Sequence, residues 1–482
     1  MTTREQVGHL LRRFGLGASK AELDFYEKLG VEGTVERLVH YEKYPLGFTL
    51  QLGKLVPVRD GRVQLNPAFV AQAWVARFLF TERPLEEKLT LFWHDHFAVS
   101  ASKVTNAYMM LQYVNTLRAG ANGNFRTLLE NVSKDPAMMF WLDSQTNVAG
   151  KPNENFAREV MELFTVGIGH YTEKDIQEAA RALTGWAWVP TRDFNRVRQD
   201  PEALSEILNT GTPLFRFVQR PGQHDNGVKT ILGQSGNFDG DDVLRILLEQ
   251  EACPKYLSHK LWEWFAYMDP EEKVVDHLAA VFKENDFEIK PVLEEIAKMD
   301  EFWSKKCIRN LVKNPVDFCI PIARQLDIGT FLKPLFENPP EDAPQRPIGG
   351  LGGIYRAMSA QGMQLLFPPD VAGWDWGEKW ISTSTMVERI RYADIIANPR
   401  SILVSDLGPA IVTQRGAKTA AEAADALIEI CDAQISSQSR NAVIGAISAN
   451  GGVEALSRPQ SSAPAIQEAL RVLFAAPEFH LC

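Results

Sequence analysis

The chain has 482 residues, of which 45% are hydrophobic and 23% are charged, proportions that are typical of a globular protein with a large buried core. Its net charge of −10 excludes the broad basic surface that nucleic-acid binding needs. The five cysteines are scattered without a CxxC pair, which argues against a disulfide framework. No stretch has the apolar length of a membrane span, and no signal peptide is visible, so we expect a cytoplasmic location.

Apolar residues recur at helical spacing from residue 4 onward and predict a mainly α fold with many helices. Residues 56–65, around Asp60-Gly61, predict a small β-hairpin. The best-defined helices are predicted at residues 68–80, 85–97, 153–166 and 172–186. Residues 189–240 are rich in proline, glycine and aspartate and predict a long irregular insertion, a kind of segment that is often functional.

The C-terminal part changes character, because alanine-rich amphipathic helices replace the aromatic-rich ones. We therefore predict two parts. Residues 1–400 form a main helical domain that contains the insertion 189–240. Residues 401–482 form a C-terminal alanine-rich helical subdomain that packs on the main domain.

The segment WHDHF at residues 93–97 places two histidines one residue apart. His94 and His96 can share a metal ion if the backbone is extended there, because alternate residues then face one side. If the helix continues, the two side chains point about 200° apart and cannot share an ion. The ordinary alternative is that His96, on the buried helix face, is a core histidine that bonds to a backbone carbonyl.

A second polar segment, residues 153–164, carries acidic side chains beside an apolar stripe. Glu159 lies on the border of that stripe, near Asn155 and Glu162, and two carboxylates three residues apart repel unless a cation compensates. Arg158 can reach Glu154 and Glu162, which leaves Glu159 in need of a partner. That partner is Arg181, a histidine or a metal ion, and without one a half-buried carboxyl group takes up a proton.

Two loops offer further candidate ligand-binding residues. His224 and Asp225 lie in the irregular insertion, where the pattern favours a turn over a ligand site. Trp374 lies in a rigid proline- and tryptophan-rich loop at residues 367–376. Its aromatic rings suit a sugar or another flat ligand, but the pattern favours a proline-braced loop that packs Trp374 and Trp376 into the core. A carbohydrate platform would use four rings and needs all of them exposed: Trp186, Trp188, Trp374 and Trp376.

Several of these motifs together resemble a bacterial family known only as the domain of unknown function numbered 1800. The resemblance rests on HLLRRFG at residues 9–15, WHDHF at 93–97, NENFARE at 153–159, EAARALTGW at 178–186 and PPDVAGW at 368–374. It implies one large helical unit and brings no established activity. Many members look exported and are encoded near sulfatase-like exported proteins, whereas this chain shows no export signal. The family's motif positions here are His94, His96, Asn153, Glu154, Asn155, Arg158, Glu159, Glu162 and Arg181.

Two functional hypotheses follow. In the first, the protein is a metal-assisted hydrolase that holds a divalent metal ion with His94, His96 and Glu159. Its catalytic residues are His96, Glu159, Glu162, Arg158 and Arg181, and Asn155, His224, Asp225 and Trp374 contact a small-molecule or carbohydrate substrate. In the second, it is a non-enzymatic binding or assembly protein with a protein partner, and the polar cluster is a structural ion-pair network.

Overall fold

The computed structural model describes residues 1–398 and 407–482. The predicted domain boundary between residues 400 and 401 lies outside these described residues, so the division into two domains stays a prediction. Within the described part, a mainly α fold is confirmed, with three small two-stranded sheets. None of its helices combines the length and the apolar character that crossing a membrane requires.

The first half of the chain is helical up to residue 182. Its helices are α1 Thr3–Arg13, α2 Lys20–Val39, α3 Leu52–Leu55, α4 Pro67–Phe80, α5 Pro84–His96, α6 Ala107–Ala119, α7 Phe125–Ser133, α8 Pro136–Trp141, α9 Asn155–Glu159 and α10 Glu173–Ala182. The predicted hairpin is confirmed, because β1 Val58–Arg59 pairs antiparallel with β2 Arg62–Val63. A π-helix, Val160–Thr165, continues directly from α9.

The predicted irregular insertion contains regular elements that sequence periodicity did not reveal. They are the helices α11 Arg192–Val197 and α12 Pro201–Thr210 and the strands β3 Trp186–Pro190, β4 Phe215–Gln219, β5 Lys229–Ile231 and β6 Gln234–Gly236. Strand β3 pairs antiparallel with β4, with Trp188 opposite Phe217, and β5 pairs antiparallel with β6. These strands are short and separated by long loops, so no single window shows enough alternation to predict them.

The second half of the chain is again mainly helical, and its helices contact those of the first half. They are α13 Gly240–Leu248, α14 Ala252–Phe265, α15 Glu272–Glu284, α16 Ile289–Lys298, α17 Pro315–Gln325, α18 Ile328–Glu337, α19 Arg346–Gly350, α20 Gly352–Ala360, α21 Thr383–Ile396, α22 Leu407–Thr413, α23 Ala420–Ile430, α24 Ser437–Ala449, α25 Gly452–Leu456 and α26 Pro459–Ala475. Short 3₁₀ turns are found at Tyr41–Lys43, Ser144–Thr146, Pro221–Gln223, Gly377–Trp380 and Pro477–His480.

One hydrophobic core runs through the described chain, from Val7 in α1 to Phe479 near the C-terminus. The alanine-rich C-terminal helices join it through α26, which packs against α21. Polar contacts also cross between the two predicted parts. The Asp432 carboxylate lies 2.7 Å from Arg12 and 2.7 Å from Arg309, and Val312 forms an isolated β-bridge with Leu481.

Candidate functional site

Helix α5 carries both candidate histidines and does not end before them. It continues to His96, and the Phe97 amide still donates to the Trp93 carbonyl oxygen. His94 lies among the rings of Trp74, Tyr113 and Trp374. His96 instead bonds through Nε2 to the Phe164 carbonyl oxygen, at 3.1 Å. The two imidazoles therefore face different neighbours, as a continuing helix requires.

Both histidines are almost completely buried, with 0% and 1% of their surface exposed. Burial lowers the pKa of His94 to about 3 and that of His96 well below its ordinary value, so both rings are neutral at physiological pH. His94, His96 and Glu159 do not offer three ligand atoms within 4.8 Å of one another. The structure therefore does not bring the predicted metal ligands together.

The two candidate arginines are bound to acidic partners other than Glu159. Arg158 makes two 2.8 Å hydrogen bonds to Glu173 and a longer one, 3.4 Å, to Glu154. Its predicted contact with Glu162 is not found among these bonds. The physical reason is the π-helix after Glu159, whose i→i+5 pattern shifts Glu162 away from the α-helical i+4 position.

Arg181 ties helix α10 to the loop before β5. It donates to Glu178 at 2.8 Å and to both carboxylate oxygens of Asp225, at 2.8 and 3.2 Å. This bond from Arg181 lowers the pKa of Asp225 to about 2. The Asp225 amide and His224 Nδ1 both bond to Thr184, so this predicted ligand-binding loop has protein partners. Two salt-bridge networks, centred on Arg158 and Arg181, thus flank the remaining acids.

Neither Glu159 nor Glu162 has a salt bridge to a cationic side chain among the described residues. Glu159 is half-buried, and its carboxyl group has no hydrogen bond or salt bridge with any residue that the structure describes. Burial raises its pKa, and the nearby charges of Glu162 and Asp370 raise it further, against the opposing effect of Arg158. Glu162 accepts a 2.7 Å hydrogen bond from the Tyr171 hydroxyl. The pair thus combines a carboxyl group with a raised pKa and a second carboxyl group that a tyrosine hydroxyl holds in place.

Asp370, whose charge acts on Glu159, lies in the loop at residues 367–376. Asp95 on helix α5 accepts two hydrogen bonds from this loop. One Asp95 oxygen accepts a 2.6 Å bond from the Trp374 amide, and the other accepts a 2.5 Å bond from Trp376 Nε1. Gly373 lies so close that an added Cβ would be 2.4 Å from Asp95 Oδ1, and its φ of 89° also favours glycine. Burial raises the pKa of Asp95 to about 6.

Lys260 on helix α14 lies next to the loop at residues 367–376 and was not among the site residues predicted from the sequence. Its ammonium nitrogen lies 5.7 Å from the centre of the Tyr256 ring and 5.5 Å from that of Trp376. It makes no hydrogen bond or salt bridge within the described chain, and burial lowers its pKa. Tyr256, one helical turn away, donates to the Leu163 carbonyl oxygen of the π-helix at 3.0 Å. The charged neighbours of Lys260 are Asp95 and Glu263, whose negative charges oppose this lowering of its pKa.

The remaining candidates lie outside this acidic pair. Asn155 is exposed at the start of α9, and its amide donates to Asn153 Oδ1 at 3.0 Å. Trp374 is buried at 6% exposure, and its indole N–H has no partner within the described residues. Trp186 is also buried, at 4% exposure. The four tryptophans therefore do not present a shared exposed platform for a sugar.

The structure thus joins three distant segments: the π-helix with Glu159 at its start, helix α14 with Tyr256 and Lys260, and the Asp370 loop. Residue spacing indicated the two glutamates, because they form an unpaired i, i+3 pair. Nothing in the sequence around Lys260 distinguishes it from a surface lysine. A signal for Asp95 was present, as a carboxylate within the predicted helix 85–97, but the two histidines beside it are the more familiar ligand types.

Comparison with known proteins gave one match. Neither the curated proteins nor the solved structures contained a match to this chain. The model of one family, described as "Protein of unknown function (DUF1800)", matches residues 9–481. Since this match covers almost the whole chain, the protein belongs to the DUF1800 family.

Proposed function

We propose that the protein is a hydrolase that uses acid–base chemistry, with Glu159 as the general acid and Glu162 as the general base. The observation that carries the proposal is the environment of Glu159, a half-buried carboxyl group with a raised pKa and no salt-bridge partner among the described residues. A carboxyl group with a raised pKa keeps its proton to a higher pH, and the protonated form is the one that can protonate a leaving group. Perturbed groups of this kind concentrate at functional sites.

In this proposal each of the two glutamates has a different role in hydrolysis. Glu159 gives its proton to the oxygen of the leaving group while the bond to that oxygen breaks. Glu162 takes a proton from the attacking water, and its bond from Tyr171 fixes the direction of the carboxylate. The Tyr171 hydroxyl stays protonated, because burial and the bond to Glu162 raise its pKa to about 12.

The local backbone supports a functional assignment of this segment. Most helices in the described part of the chain are α-helical, whereas residues Val160–Thr165, which include Glu162, form a π-helix. Such segments are less stable than an α-helix and are found frequently at functional sites.

The test is a hydrolysis assay against three substrate classes: glycosides, carboxylic esters and phosphate esters. Each class is offered with a p-nitrophenyl and with a benzyl leaving group, since only the benzyl leaving group needs a proton from the enzyme. We expect Glu159→Gln to lower kcat/KM for the benzyl substrate by about 10²–10⁴-fold, and to affect the p-nitrophenyl substrate much less. Glu162→Gln should lower both.

The matched control is Glu154→Gln. Glu154 lies in the same segment, but its carboxylate pairs with Arg158, so we expect its activity to stay within about threefold of the unmodified protein. The proposal is wrong if the unmodified protein hydrolyses none of the three classes, or if Glu159→Gln retains full activity on the benzyl substrate.

A second candidate, a non-enzymatic binding or assembly protein, is favoured by the salt bridges of Arg158 and Arg181. These networks fasten α9 to the start of α10, and α10 to the loop before β5. Under this alternative Glu159 would also be a structural residue, so Glu159→Gln would weaken folding and leave partner binding intact.

A further inference from the structure

Three potential metal ligands meet at the C-terminal end of helix α2, away from the site described above. Glu36 and His40 come from that end of α2, and Glu294 comes from helix α16. Their nearest ligand atoms all lie within 4.8 Å of one another. His40 Nε2 is 2.7 Å from a Glu294 oxygen and 3.4 Å from a Glu36 oxygen. Among the described residues this is the one group of three such side chains with this spacing.

The positions of the three residues follow from the helices that carry them. Glu36 and His40 are four residues apart, so they lie on the same helix face in successive turns. Helix α16 packs against α2 and brings Glu294 opposite that face. The C-terminal end of a helix also carries partial negative charge from unpaired carbonyl groups, which favours a cation there.

The acceptors around His40 outnumber the protons that its ring can donate. Nε2 carries at most one proton, yet it faces carboxylate oxygens of both Glu36 and Glu294. A third carboxylate, Glu42, lies 3.9 Å from Nδ1 on the other side of the ring. Glu42 is held there by Lys290 and by Asn122. An imidazole that faces ligand carboxylates on one side and an outer carboxylate on the other has the arrangement of a metal-binding histidine.

We propose that Glu36, His40 and Glu294 bind one Zn²⁺ ion, which joins the end of α2 to α16. Imidazole nitrogen with two carboxylate oxygens is a ligand set that suits zinc, and three protein ligands leave one tetrahedral position for water. Calcium and magnesium fit this set poorly, because calcium takes six to eight oxygen ligands and magnesium also prefers oxygen. A neutral His40 ring offers its Nε2 lone pair to the ion, and each glutamate offers one carboxylate oxygen.

The site is open to solvent, so bound metal can exchange. Side-chain exposure is 20% for His40, 31% for Glu294 and 46% for Glu36. Glu36 also has a 2.6 Å bond from Lys43 through its other carboxylate oxygen, which leaves the oxygen nearer to His40 available. The proposal is independent of the hydrolase assignment, since none of these residues belongs to the Glu159 site.

The test is calorimetric titration of the metal-stripped protein with ZnCl₂ and, separately, with CaCl₂. We expect one Zn²⁺ per chain, no comparable binding of Ca²⁺, and at least a tenfold loss of zinc affinity in both His40→Ala and Glu294→Gln. The control is His277→Ala, because His277 forms a similar 2.7 Å pair with Glu295 but lacks a third ligand. It should bind zinc as the unmodified protein does.

A second measurement distinguishes a variant that has lost the metal site from a variant that has failed to fold. Zn²⁺ should raise the Tm of the unmodified protein and of His277→Ala, and leave the Tm of Glu294→Gln unchanged, since only an intact site couples metal binding to the folded state. Glu294→Gln keeps the size of the side chain, so its fold should persist. Absence of zinc binding to the unmodified protein, or equal binding in Glu294→Gln, would overturn the proposal.

Discussion

Glu159 and Glu162 show how far spacing along one helix can predict a site. Two acids three residues apart on the border of an apolar stripe require either a cation or a proton, and this much is readable from the sequence. Whether an arginine can neutralise these two acids depends on the other acidic residues that the arginines contact. Arg158 pairs with Glu173 and Arg181 pairs with Asp225. The first pair depends on how α9 and α10 pack together, and the second involves a residue outside the segment 153–186.

The first prediction concerns the stability of Glu159→Gln. Because the pKa of Glu159 is raised in the folded state, ionisation of this group costs folding free energy, and the stability it contributes is lost as pH rises through the folded-state pKa. Gln removes that cost. At pH 7 we expect the free energy of unfolding, from urea denaturation, to be unchanged or up to about 1 kcal/mol higher.

Glu178→Gln is the control for this measurement. Glu178 is buried and accepts bonds from Lys174, Arg181 and the Thr230 amide, so its replacement should cost about 1–3 kcal/mol. If Glu159→Gln lost as much stability as Glu178→Gln, Glu159 would be a structural residue and the second candidate function would be favoured.

Among the elements, helix α5 and the loop at residues 367–376 form the least predictable contact of the site. The helix was predicted from its apolar positions, and the loop from its prolines and tryptophans. Their connection through Asp95 requires the tertiary structure, since the residues lie 279 positions apart. Helix α10 shows a different limit. A helix was predicted to residue 186, but α10 ends at Ala182, because Gly185 has a φ of 84° and the chain enters strand β3 at Trp186.

The second prediction is that Asp95→Asn destabilises the protein in a way that depends on pH. The amide NH₂ group of asparagine cannot accept a hydrogen bond, so Asn cannot accept from both the Trp374 amide and Trp376 Nε1, whereas both oxygens of a carboxyl group keep acceptor lone pairs even when it is protonated. Since burial raises the pKa of Asp95 to about 6, its contribution to stability is fully present below pH 4 and is lost as pH rises through 6. The difference in free energy of unfolding between the two proteins should therefore be largest near pH 4, about 1–3 kcal/mol.

Urea denaturation of both proteins between pH 4 and pH 8 measures this difference. Intrinsic fluorescence of Trp374 and Trp376 reports in parallel whether the loop stays attached to α5. A difference that grows with pH instead of shrinking would mean that the Asp95 carboxylate is stabilised as an anion, contrary to the effect of its burial.

At the scale of the whole molecule, residues from both ends of the chain meet at Arg13. This side chain is 1% exposed and donates to the carbonyl oxygens of Ala266 and Cys307, and it contacts the Cys482 sulfur at 3.5 Å. The mainly α fold was predictable because helical periodicity is a local signal. The meeting of residues 13, 266, 307 and 482 was not, because no local pattern encodes which helices become neighbours.

The third prediction is that Arg13→Leu lowers the free energy of unfolding by about 2–4 kcal/mol, because it leaves two buried carbonyl oxygens without donors. Arg4→Leu is the control on the same helix. Arg4 pairs with Asp24 and Glu27 at a side-chain exposure of 36%, so its loss should cost less than about 1 kcal/mol. Equal losses in the two variants, measured by urea denaturation, would show that Arg13 does not hold the ends of the chain together.

The measurement that most directly tests the central claim is the pKa of Glu159, followed by ¹³C NMR of glutamate side-chain carboxyl groups across a pH titration. The Glu159 resonance is assigned by its absence in Glu159→Gln. We predict a pKa above the ordinary 4.5 in the unmodified protein and a lower value in Glu162→Gln, since that variant removes a neighbouring negative charge. A pKa at or below 4.5 in the unmodified protein, unchanged in Glu162→Gln, would contradict the assignment of Glu159 as the general acid.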